Sequence, residues 1–226
     1  MKQSQVDYRQ FRLSRINEPQ YRHLWLLSGW IVYFILYFLT ENLIPPENCH
    51  IVHCRLDDII PFCEWFVIPY VFWYLFVAGS LWIFVRKDIE SFKRLSVFII
   101  ITQAVAMAAY ILYPSRQDLR PDVFPRQNVL TWILGLIYAF DTSTGVCPSL
   151  HVAYSIGIAS VWLKKPDATK GIKVFVAVAA AVISIATAFV KQHSVVDIIA
   201  ALPVCLLAEL LVYGKWWKEK WRNSTL

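Results

Sequence analysis

The sequence predicts an all-α fold: a bundle of six transmembrane helices with one short interfacial helix on the extracytoplasmic side. Three observations predict it. The 226-residue chain is 58% hydrophobic and 17% charged, with a mean hydropathy of +0.48, whereas soluble domains hold about 45–50% apolar and about 25% charged residues. The apolar residues gather into runs, most of them near the roughly 20 residues that cross a hydrocarbon core. The basic residues fall between alternate runs. The length allows a single domain.

The runs follow in order. The first covers 24–39 and the second 62–85, with Glu64 and Pro69 inside it. The third covers 95–113, and a polar, proline-containing stretch at 114–128 follows it. Val129–Phe140 is apolar but too short to span, and reads as an interfacial or re-entrant helix. The fourth run covers 151–163 and continues to about Lys165; the fifth covers 172–190 and the sixth Val195–Tyr213. The expected organisation is a basic N-terminal segment at 1–23, a membrane domain at 24–213 and a basic tail at 214–226. The polar first segment predicts no cleavable leader.

Charge placement supplies the topology. Seventeen of the 22 lysines and arginines lie in the N-terminal segment, after the second run, after the fourth run and in the tail. Six spans with both ends on one side require that alternation, and the positive-inside rule makes that side cytoplasmic. The net charge of +6 is therefore accounted for without a nucleic-acid partner. Trp25, Trp65, Trp82, Trp162, Trp216 and Trp217 sit near run ends, where amphipathic rings prefer the headgroup layer. The basic, tryptophan-rich tail fits either a surface anchor on anionic lipid or plain stop-transfer charge.

Arg55, Arg116, Arg120, Arg126 and Lys191 fall on the outer side, where three polar clusters meet span ends. The clusters are Arg116 to Pro121, Cys147 to His151, and Lys191 to Asp197. Pro148 and Ser149 look like a helix start with Ser149 as cap. A helix N-terminus offers N–H groups to an anion, and His151 would lie in that first turn. His193 and Asp197 are four residues apart and share a helical face, so the aspartate can hold one ring nitrogen and leave the other free to attack. Arg120, Arg116 and Lys191 can neutralise phosphate oxygens. Plainer readings exist: Ser149 as a simple cap, His151 as an amphipathic interfacial residue, Asp197 as the ion-pair partner of Lys191.

At these residues the chain resembles the type-2 phosphatidic acid phosphatase superfamily. Arg120-Pro121, Pro148 to His151 and the His193-x3-Asp197 pair match the order and spacing of that family's three motifs. The family's first lysine falls at Tyr113, its second-motif glycine at Leu150 and its third-motif arginine at Thr187. Pro-Ser-Leu-His is more similar to the inositol phosphorylceramide synthase branch. The resemblance implies an integral membrane enzyme acting on a lipid phosphate or pyrophosphate at the outer face, with a core at about 95–213. It implies that His193 attacks phosphorus, Asp197 orients it and His151 protonates the leaving alkoxide. Arg120, Lys191, Arg116 and Ser149 would hold phosphoryl oxygens, with neither metal nor cofactor. Headgroup transfer to a lipid alcohol is the alternative suggested by Leu150. A non-catalytic scaffold that keeps the fold is a second alternative, favoured by the missing motif cations. A transporter lacks matching broken spans.

Cys49-His50-Ile51-Val52-His53-Cys54 lies in the first outer loop. It is expected to pack at the bundle edge, ahead of a local Cys49–Cys54 disulfide, with zinc last because the ligand spacing is compressed.

Overall fold

The computed structural model describes residues 6–214. Its elements are almost entirely helical. A 3-10 turn at Arg22–Leu27 runs into α1 (Ser28–Leu43), and the five-residue α2 (Arg55–Ile59) follows in the first outer loop. Next come α3 (Val67–Lys87), α4 (Ile89–Leu112), α5 (Val129–Phe140), α6 (Leu150–Lys164), α7 (Lys170–Phe189) and α8 (Val195–Tyr213). Five helical stretches are long and apolar enough to cross a membrane: Arg22–Leu43, Glu64–Lys87, Ile89–Leu112, Lys170–Phe189 and Val195–Tyr213. They make this a multi-pass membrane protein by length and composition. The fourth run, now α6, is shorter, and the proposed tail anchor at 215–222 lies outside the described residues.

The helices begin where the sequence supplies caps. Asp88 accepts from the Ser91 N–H, Asn128 from Leu130 and Thr131, and Thr169 from Ile172. Each satisfies donors that a helix start leaves free. Between them α4 and α6 form the centre, with Leu95, Phe98, Ile99 and Ile158 fully buried. Gly157 makes this approach possible: a Cβ there would lie 2.5 Å from the Phe98 ring. The outward faces stay apolar and open, as at Ile31, Phe34, Phe38 and Leu75. Lipid tails are as apolar as those side chains, so nothing drives them inward.

The Cys49 to Cys54 loop is more ordered than a bundle-edge loop. His50–Ile51 pairs in parallel with Ser115–Arg116, a two-residue ladder that ties the first outer loop to the end of α4. All five cysteines are free thiols, so Cys49 and Cys54 are not joined.

Candidate active site

The turn between α7 and α8 carries the central histidine. Thr187, where the resembling family has arginine, supplies a backbone carbonyl that accepts the N–H of both Gln192 (3.0 Å) and His193 (3.1 Å). Lys191 takes a left-handed conformation, with φ of 54°. That reversal lets α8 start at once, with Ser194 as its cap and Asp197 one turn in. Asp197 Oδ2 accepts from the Ser194 N–H at 3.0 Å and lies 3.2 Å from His193 Nδ1. An ionised Asp197 fixes the proton on Nδ1 and leaves Nε2 with a free lone pair.

His151 stands opposite, its ring centroid 5.6 Å from that of His193. Tyr70 lies against it at 4.6 Å and Trp73 at 4.2 Å. Its Nε2 is buried without a partner. Ser149 starts α6, but its side chain caps nothing. The hydroxyl is fully buried and unpartnered, which corrects the expectation of a simple cap. Its N–H donates instead to the Asp197 carbonyl at 3.1 Å and fastens the second cluster to the third. The Cys147 thiol beside Asp197 is pushed up to about 12, by burial first and then by the aspartate's charge.

Arg120 brings in the first cluster. Its guanidinium donates to the carbonyls of Thr142 (2.7 Å) and Tyr138 (3.2 Å) and to Gln192 Oε1 (2.6 Å), and lies over the Tyr138 ring. Its Nε is buried without a partner. Arg116 sits on the β ladder, pairs with Asp118 at 3.2 Å and also keeps a buried, unpartnered Nε. The structure therefore brings His151, His193, Asp197, Ser149 and Arg120 together and leaves Arg116 at their edge.

Lys191 points elsewhere, contrary to the expectation that it would meet a phosphate. Its ammonium donates to the carbonyls of Asp57 (2.8 Å), within α2, and of Ile60 (2.6 Å), the residue that follows it. Cations suit a helix C-terminus, which carries partial negative charge. Burial draws this lysine below its usual range, with Asp57 and Asp58 opposing the shift. Asp197 is accordingly not its ion-pair partner.

Asp57 is the residue that motif reading missed. It is buried, and its carboxylate accepts from the Ser194 hydroxyl (2.6 Å), the Val195 N–H (2.8 Å) and the Cys54 N–H (2.8 Å). Burial opposes ionisation, yet these donors hold the carboxyl below its usual range. Together with Lys191, Asp57 clamps the His193 turn to α2. The signal was faint: a Cys54-x-x-Asp57 capping box outside any family motif.

Both histidines open into a cavity of about 530 Å³. Gln192, Thr142 and Asp141 line its polar end. Apolar and aromatic side chains, mainly of α1 and α3, line the rest, and along α3 they run from Trp73 to Leu81, about 12 Å at 1.5 Å per residue. An imidazole nitrogen with a free lone pair and a facing histidine at the head of an apolar slot, with the Arg120 guanidinium behind the lining residues Thr142 and Gln192, are suited to transfer of an anionic group carried by a lipid. Set against known proteins, the chain finds no match among family models, curated proteins or solved structures.

Proposed function

We propose that this protein is an integral membrane lipid phosphatase or phosphotransferase that works through a phosphohistidine at the outer membrane face. The observation that carries the reading is the His193–Asp197 pair facing His151 at the head of an apolar cavity. His193 Nε2 attacks phosphorus, and Asp197 stabilises the imidazolium that forms. His151 gives its proton to the leaving oxygen and then takes one from the incoming water or alcohol. Arg120 offers its unpartnered Nε to the phosphoryl group, with the Ser149 hydroxyl on the α6 side. Lys191 drops out of that set. No metal is needed for this charge balance.

The same reading takes α6 as a sixth span, which puts both termini and the basic loops on the cytoplasmic side. Fifteen residues rise about 22 Å. That is short for a span, but α6 starts at the buried active site and packs against α3, α4, α7 and α8. A helix shielded by protein need not meet the full bilayer thickness.

The membership in the type-2 phosphatidic acid phosphatase superfamily that the motifs imply is part of this proposal. Leu150, packed into the core, favours headgroup transfer as the second reading. The test is release of phosphate from a panel of lipid phosphates by purified protein in detergent with EDTA. Release by the parent and none by folded His193→Ala supports hydrolysis. Release only of an alcohol, dependent on an added lipid acceptor, supports transfer. Neither activity from a folded parent leaves the scaffold reading.

A further inference from the structure

We infer that the aromatic pocket beside His193 is a cage for the cationic headgroup of a zwitterionic phospholipid, with Asp141 as its counter-charge. The inference rests on the phosphoryl-transfer reading of His193 and names its substrate class.

Among the described residues, the cavity lining contains one carboxylate, Asp141, and neither lysine nor arginine. Its hydrogen-bond donor is the neutral Tyr37 hydroxyl at 3.0 Å. A partly buried carboxylate without a bonded cation carries a desolvation cost, and here it borders open space. Around it stand Tyr33 and Tyr37 of α1, 5.8 Å apart and nearly parallel, and Trp73 and Tyr74 of α3, 5.0 Å apart and edge to face. Aromatic faces attract ammonium groups, and quaternary ones most selectively, because an alkylated ammonium sheds its water easily. A phosphatidate headgroup would bring only further negative charge to this wall. A headgroup with an ammonium two carbons from its phosphate would meet Asp141 with the cation while the phosphate meets Arg120 and His193. Burial holds the Asp141 carboxyl above its usual range, opposed by the Tyr37 hydroxyl and the charges of His193 and Arg120. A cation would remove that penalty.

With such a substrate, the His193 Nε2–P bond forms as the bond from phosphorus to the diacylglycerol oxygen breaks. Diacylglycerol leaves with the proton of His151. An alcohol or water oxygen then bonds phosphorus, the N–P bond breaks and the proton returns to His151.

The test uses binding, so that it does not depend on turnover. Full-length His193→Ala in dodecylmaltoside is titrated with diheptanoyl phosphatidylcholine and diheptanoyl phosphatidic acid, followed by tryptophan fluorescence. The expected result is at least about tenfold tighter binding of the choline lipid. Asp141→Asn in the same background abolishes that preference. Tyr74→Leu, at a half-exposed position, weakens choline-lipid binding several-fold and spares phosphatidate. Equal affinities, or a preference unchanged by both substitutions, would overturn the cage. If His193-dependent phosphate release persisted in that case, the phosphoryl-transfer reading would stand without it. Asp141-dependent choline-lipid binding with no turnover of any lipid would do the reverse.

Discussion

Asp57 accepts a hydrogen bond from the Ser194 hydroxyl at 2.6 Å, a contact between the first outer loop and the cap residue of the last helix. It joins parts of the chain 137 residues apart and sets where His193 stands. Loss of Asp57 leaves a hydroxyl and two backbone N–H groups without their acceptor. Asp57→Ala is expected to lower stability by about 2–3 kcal/mol, read by thermal unfolding in detergent. Turnover should fall further than the unfolded fraction explains, because the His193 turn loses its anchor.

The same carboxylate gives a pH dependence with a definite sign. Its folded-state value is depressed, so its contribution is complete above the ordinary value of 3.8 and is lost as pH falls through the lower folded value. The melting temperature of the parent should therefore carry an acid limb below about pH 4 that is reduced in Asp57→Asn. An identical limb in both would show that other carboxylates govern acid unfolding.

Lys191→Met separates a clamp from a phosphate ligand. With its ammonium on the α2 carbonyls, the substitution should lower the melting temperature and leave the KM for any turned-over lipid within about twofold. A large rise in KM with unchanged stability would return Lys191 to the phosphate site.

Arg120→Lys should act in the opposite way. A lysine cannot reach Tyr138, Thr142 and Gln192 together and still offer a donor to phosphate. Catalytic efficiency should drop by about a hundredfold or more, with a smaller change in melting temperature.

Gly157→Ala tests the packing of the two central helices. The added methyl meets the buried Phe98 ring at 2.5 and 2.8 Å, and that ring has no free space to enter. Overpacking of this kind costs about 1–3 kcal/mol. Phe98→Leu in the same chain should restore part of the loss.

The helices were legible because hydropathy and caps are local. Val129–Phe140 and Val195–Tyr213 begin and end at the expected residues, since each apolar run stops at polar neighbours, and Asn128 and Ser194 turn out to cap them. The His193–Asp197 pair was legible as a spacing of four, although His193 stands in the turn just before α8 and does not share a helical face with Asp197. What the sequence hid depends on distant contacts. Ser149 has the chemistry of a cap, and only packing against α8 shows that its hydroxyl caps nothing. Lys191 has the chemistry of a phosphate ligand, and only the left-handed turn beneath α2 shows where its ammonium goes. Asp57 shows only a local capping box and Asp141 no recognisable spacing, and their roles follow from a cavity and a loop contact that no local pattern encodes.

The central claim is that His193 carries the phosphoryl group. The most direct measurement is mass spectrometry of the purified protein after rapid alkaline quenching during turnover of the lipid it prefers. The expected result is a phosphoryl or phospho-headgroup adduct on the peptide containing His193, present in the parent and absent in His193→Ala. Turnover by His193→Ala at the parent's rate, or an adduct on another residue, would contradict the account.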